Sequence, residues 1–194
     1  MANPEHQPQL DGFDRLTVGL YRLGLGASAL CLGGFVVLCL LRLNGVYPPY
    51  WLRLVGLVSI TASVALAAAC VHLYDKRIRW IIASAAPFGL ALQALGLALP
   101  AEWTVALLLH AAGVGFSLVS LSALAFKEWF CFRIPGLRVA PLFLAAGVLG
   151  VAVDWPLGIA LAWGPASVVI GWLAVRKATM PLGHDIGDRD RYQV

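Results

Sequence analysis

Two sets of side chains in this sequence could do chemistry. The first is a pair of charged clusters: His72, Asp75 and Arg79 within His72-Leu73-Tyr74-Asp75-Lys76-Arg77-Ile78-Arg79, and Lys127, Glu128 and Arg133 within Lys127-Glu128-Trp129-Phe130-Cys131-Phe132-Arg133. Carboxylates among Lys and Arg can latch two loops together or hold an anionic group, and a His three residues from a carboxylate can form a proton-handling pair. The plainer reading is a headgroup-layer lining, where rings settle and basic side chains snorkel. The second set is Gln93, His110, Ser117 and Ser120, embedded in long uncharged runs. There they either hydrogen-bond between helices or line a ligand pocket.

No catalytic residue is assigned. The sequence has no Gly-x-Ser-x-Gly, no His-Glu-x-x-His and no acid cluster for phosphoryl transfer. Metal is not expected, since no third ligand stands at a fixed spacing from His72 and Asp75. A haem clasped by two histidines fails on depth, because His72 falls near one membrane surface and His110 in the opposite half. No cofactor is read from the chain. Cys31, Cys39, Cys70 and Cys131 lack CxxC spacing and read as free thiols.

The elements that must position these groups are membrane helices. The chain is 60% hydrophobic and 12% charged, with a mean hydropathy of +0.82, against roughly 25% charge in soluble domains. Uncharged runs predict six spans, at about 23–41, 54–74, 80–100, 103–126, 137–153 and 155–175, between polar tails at 1–22 and 176–194. With six spans, 12 of the 14 basic residues fall on one side, and only Arg42 and Arg53 on the other. Cytoplasmic connections carry the excess of Lys and Arg. The expected fold is therefore an all-α, polytopic six-transmembrane-helix bundle with both termini cytoplasmic, in a bacterial inner membrane.

The fifth span is short for a bilayer and needs Leu137 and Arg138 to lengthen it. Asp154-Trp155-Pro156 reads as a turn and helix start with Asp154 as N-cap. Small residues four apart, at Ala65/Ala69, Ala111/Gly115, Ala146/Gly150, Ala160/Gly164 and Ser167/Gly171, predict close helix packing. On helical wheels, Thr61, Ala65, Ala68 and His72 share one face of the second span. Gln93 lies on the small-residue face of the third, and His110, Ser117 and Ser120 share one on the fourth. Gln93 and His110 have matched depth either side of the Pro100-Ala101-Glu102 turn, which predicts a hydrogen bond between them. Met1–Gly12 and Gly183–Val194 are polar and lack apolar periodicity, so removing the last ten residues is expected to leave the bundle folded.

The Lys127–Arg133 stretch, KEWFCFR, together with the His-x-Tyr-Asp-Lys segment at His72–Lys76, resembles the signature of a bacterial family of uncharacterised integral membrane proteins, known as a domain of unknown function. The resemblance covers about residues 13–180 and implies no activity. Two function classes follow from the residues. One is a small-molecule binding or transport component with Gln93 and His110 in its pocket, similar in architecture to six-helix substrate-binding subunits of vitamin uptake systems. The other is a non-catalytic scaffold, assembly or regulatory protein that engages a protein partner through its cytoplasmic loops; an enzyme comes third. The partners implied are the lipid bilayer, a small-molecule ligand and a protein at the loops. Nucleic acid is not, because the basic residues flank helices instead of forming a patch with stacking aromatics.

Overall fold

The computed structural model describes residues 10–73, 75–100 and 104–186. The chain forms α1 (Gly12–Leu43), α2 (Tyr50–Ala69), α3 (Lys76–Leu97), α4 (Thr104–Phe132), α5 (Ala140–Ala152), α6 (Pro156–Ala178) and the single turn α7 (Gly183–Ile186). All but α5 and α7 are long and apolar enough to cross a membrane. Their outward faces carry bare aliphatic groups, with Leu30 at 78% and Val168 at 71% exposure, as a lipid solvent allows and water would not. The protein is a polytopic helical membrane protein.

α1 packs on α2 and α6, α6 on α5, α5 on α4, and α4 on α2, so five helices close a ring. α3 lies outside that ring, against α2 and α4. The ring is filled by side chains such as Leu32, Phe35, Leu121 and Trp163, all buried. Trp163 meets Phe35 edge-on at 5.4 Å between centroids and donates its indole N–H to the Leu144 carbonyl at 3.1 Å. A Cβ on Gly147 would overlap that indole, so glycine there sets the distance between α5 and α6.

Several helix boundaries differ from the sequence reading, among them α4, which runs on to Phe132 and so carries Lys127 and Glu128 on the helix, and those of α1, α2 and α5. α1 begins at Gly12, inside the stretch read as tail. Asp11 caps it, accepting from the Asp14 N–H at 2.8 Å while the Asp14 carboxylate accepts from the Asp11 N–H at 3.1 Å, so both exposed amides are satisfied. α2 starts directly after Pro49 and stops at Ala69, short of His72, which therefore lies on a connection and not on the face of a helix. α5 is only 13 residues long. The preceding connection makes up the missing depth by burying Ile134 and Leu137.

Asp154 is not the N-cap of α6, a place taken by Trp155. It closes α5 instead, with φ of +50°, a Trp155 N–H to Gly150 carbonyl bond of 2.8 Å and an Asp154 N–H to Val151 carbonyl bond of 3.2 Å. That pair of bonds satisfies the last carbonyls of the helix and needs a left-handed residue, which Asp tolerates better than most.

α3 and α4 approach so closely that a Cβ on Gly89 would overlap the Gly113 carbonyl. Gly89→Ala should therefore lower stability by about 1–3 kcal/mol despite the better helix propensity of alanine. Gly34→Ala on α1, where nothing lies within 4 Å of the added methyl, should be neutral or stabilising. Thermal unfolding in detergent compares the two. Equal midpoints would mean that α3 is not packed in this way.

Candidate functional site

The buried charges gather at the end of the bundle where α1 starts and α6 finishes. Glu128 on α4 is fully buried. Its Oε1 accepts from the Tyr21 hydroxyl at 2.6 Å and from Lys127 Nζ at 3.1 Å. Its Oε2 lies 2.7 Å from Lys177 Nζ as an ion pair, at an angle that leaves that oxygen without an aligned hydrogen bond. Lys177 also pairs with Asp185 of α7, and its ammonium stands 4.2 Å from the centre of the Phe132 ring.

Arg22 completes the network. It meets Asp185 at 2.6 Å and donates to the carbonyls of Met180 and Pro181 at 2.8 and 3.0 Å. The group spans the ring, joining α4 through Glu128 to Tyr21 on α1 and Lys177 on α6. Partnered charges are the form in which ions persist in such surroundings, because removing one partner strands the other in a medium of low dielectric.

Asp75 and Glu128 have separate fates. Asp75 caps α3, accepting from the Arg77 and Ile78 N–H groups at 2.8 and 3.1 Å, and among the described residues it forms no ion pair. Arg79 and Arg133 are exposed, and Arg133 ends α4 in a left-handed conformation with φ of +53°. His72 makes no pair with Asp75. Its Nε2 sits 3.2 Å from the Thr17 hydroxyl on α1. Burial, then the positive charges of Lys127 and Arg79, lower the His72 pKa to about 4, with Asp185 opposing.

The second set forms a seam where α3 docks on α2 and α4. Gln93 Nε2 donates to the Leu57 carbonyl at 3.3 Å and to Thr61 Oγ1 at 3.1 Å. The Thr61 hydroxyl is shared between Leu57 O and Ser117 Oγ, and Ser117 donates to the Val114 carbonyl at 2.7 Å. Ser120 reaches across to the Ile82 carbonyl at 2.7 Å. No hydrogen bond joins Gln93 to His110, contrary to the depth argument. Gln93 turns toward α2, and the imidazole of His110 lies over Gly96, leaving Gln93 Oε1 and His110 Nδ1 without partners.

A cavity of about 630 Å³ lies at the charged end, within the range of small-molecule sites. The α2–α3 connection gives His72 and Leu73, α3 gives Ile78 and Ile82, and α7 gives His184, Asp185 and Ile186. The last turns of α4 supply Ala123, Phe126, Lys127 and residues 130–132. Exposed Ile78, Phe126 and Phe130 frame the mouth, and buried Ile82 and Ile186 form the floor. Neither Gln93 nor His110 lines it.

Lys177, Tyr21, Arg22 and Asp185 are the participants that sequence reasoning missed. Lys177 and Asp185 fall in the stretch read as a polar tail. The one available signal was Lys177 following an apolar run on the same helix.

At the opposite end, Arg42 donates to both oxygens of Asp154 at 2.7 and 2.8 Å, and Arg53 pairs with the same carboxylate. The Arg42 hydrogen bonds hold the Asp154 carboxyl below its ordinary range, with burial opposing and Arg53 adding to the effect. Glu102 lies outside the described residues.

Two outcomes follow from the buried network. Glu128→Gln should lower stability by about 3–5 kcal/mol, because Lys127 and Lys177 keep their charge and lose its complement. Asp185→Asn, or a chain ended at His184, should destabilise in the same direction, opposite to the expectation that the last ten residues are dispensable. Unchanged thermal unfolding in either would remove the network from the account.

His72 gives a pH test. Its folded pKa of about 4 lies below the unfolded value of roughly 6.5, so the fold favours neutral imidazole. That stability is complete above pH ~6.5 and declines as pH falls toward 4. His72→Gln should flatten the fall in melting temperature across that window.

A family model described as "Uncharacterized integral membrane protein (DUF2301)" matches residues 64–193. A Haemophilus influenzae protein, described only as "Uncharacterized protein", is 30% identical over 200 residues, covering 100% of both chains. No solved structure matches. The matched segment holds α3 to α7, and with them Glu128, Lys177, Asp185 and the greater part of the cavity wall. The chain belongs to this family of uncharacterised integral membrane proteins.

Proposed function

We propose that the protein is a small-molecule binding component of the membrane, holding its ligand in the cavity at the charged end. The cavity of about 630 Å³ carries this reading. Its exposed lining residues, Ile78, Phe126 and Phe130, are apolar, which suits a ligand that arrives from the bilayer. The same geometry moves the binding role away from Gln93 and His110, whose seam is closed around Thr61 and Ser117 and serves to dock α3. Transport is the extension of this reading in which the ligand passes onward.

The inner membrane of a bacterium is the proposed location, with the charged end cytoplasmic. The support is the one-sided distribution of Lys and Arg. A scaffold role is the second reading. The observation favouring it is the row Lys76, Arg77 and Arg79, exposed beside Trp80, which offers a partner protein a basic, aromatic surface.

Native purification of wild type and Ala123→Trp, followed by mass spectrometry of retained small molecules, tests the binding role. Ala123 lines the cavity, and an indole there would obstruct its inner part. A species present at about one per chain in wild type and absent from the variant is expected. Identical retained species in both would shift the reading to the scaffold. For orientation, a reporter fused after Val194 should read cytoplasmic and one placed at residue 102 external, and the reverse pattern would invert the assignment.

A further inference from the structure

Resting on the reading that the cavity binds a ligand, we infer that this ligand is an acidic amphiphile of the membrane, a fatty-acid anion or an acidic phospholipid. Its chain lies along Ile82, Ala123 and Phe126 and its anionic group meets Lys127. The cavity is graded in polarity along the bundle axis. His72, Lys127, His184 and Asp185 lie at its outer level, and on moving inward along α3 and α4 the wall becomes Ile82 and Ala123. An amphiphile standing in the bilayer has the same gradient. The mouth between Ile78 and Phe130 lies at the level of exposed Lys76, Arg77 and Arg79, where headgroups sit, and Phe126, one turn further in on α4, extends it toward the acyl chains.

The sign of the headgroup follows from the adjoining network. Among the described residues, the salt bridges there join five charged side chains, Arg22, Lys127 and Lys177 against Glu128 and Asp185, three positive and two negative. Glu128 is already met by Lys177 and Tyr21, and Asp185 by Lys177 and Arg22. Lys127, paired through one oxygen at 3.1 Å, is the cation of the set that also lines the cavity, with 16% of its side chain exposed. His72 and His184 stand on the same wall and can add N–H donors. A neutral headgroup would leave the surplus cation uncompensated; an anion balances it.

The experiment uses the full chain in neutral detergent, with two matched pairs of probes: oleate against mono-oleoylglycerol, and dioleoyl phosphatidylglycerol against dioleoyl phosphatidylcholine. Binding is measured by native mass spectrometry or equilibrium retention. The acidic member of at least one pair should bind at about one per chain and roughly tenfold or more tighter than its neutral partner, as a charge-assisted contact gives. Which pair shows it distinguishes a single-chain acid from a phospholipid.

Lys127→Gln should bring the preference toward unity while neutral binding persists, Lys127→Arg should keep it, and Ala123→Trp should abolish binding of both members. Should Lys127→Gln not fold, the comparison of acid and neutral probes on wild type decides alone. Equal affinities that are both lost in Ala123→Trp would overturn the acidic ligand and leave the cavity reading standing. Binding unaffected by Ala123→Trp, or no binding of any of the four probes, would overturn the acidic ligand as well. The retained-species comparison then judges the cavity separately.

Discussion

A carboxylate with no exposed surface must be neutralised where it stands, and much of the charged end of this protein is arranged to do that for Glu128. The cost of an unpartnered ion at such a depth is several kcal/mol, comparable with losing a whole buried aromatic side chain. Three features answer it. α1 begins far enough before its apolar run to place Tyr21 and Arg22 at the right level, α6 continues past its own run to bring Lys177, and the chain then turns back so that Asp185 balances Lys177 and Arg22. α7, a single turn, is too short to be stable alone. It is held by that ion pair and by buried Ile186. The cavity wall that α7 supplies thus depends on electrostatics set on α4.

Asp154 plays a corresponding part at the other end with less burial. Arg42 near the end of α1 and Arg53 in the first turn of α2 converge on one carboxylate between α5 and α6. Three stretches of the ring are tied at a residue whose left-handed backbone is already fixed by the end of α5. Between the two charged ends three polar side chains close on one another, while Gln93 Oε1 and His110 Nδ1 keep no partner. Gln93, Thr61 and Ser117 exchange hydrogen bonds of 3.1–3.3 Å across α3, α2 and α4, contacts worth about 0.6 kcal/mol each in membranes. They hold α3 in register more than they hold it on.

The membrane fold was legible because the signals for it are additive along the chain: long uncharged runs, and bases crowded to one side. Boundaries were less legible. A charge ends a run in sequence but not a helix in space when it has a partner, and Arg22 and Lys177 have theirs in Asp185. The stretch 12–22 and the turn at 183–186 were read as tail for that reason. Spacing also located small residues without ranking them. Gly89 and Gly113 make the close approach between α3 and α4, whereas Gly164, one of the four-apart pairs, has nothing within 4 Å. Rotation about a helix axis decides such matters, and hydropathy is silent on rotation when nearly every residue is apolar.

Of the candidate site, Lys127, Glu128 and His72 were visible because charge in an apolar sequence is conspicuous. Their partners were not, since Glu128 lies 49 residues from Lys177 and no local pattern links them. The depth argument for Gln93 and His110 failed on a similar ground. Equal height on neighbouring helices permits a contact, but a third helix offering Thr61 and the Leu57 carbonyl took the Gln93 amide instead. Those bonds draw α2, α3 and α4 together through the middle of the bundle, and none of the residues that make them lines the cavity. Toward the charged end α2 stops at Ala69 while α4 runs on to Phe132. The final turns of α4 therefore lose their neighbour on one flank. The cavity occupies that flank, and its position follows from where α2 ends.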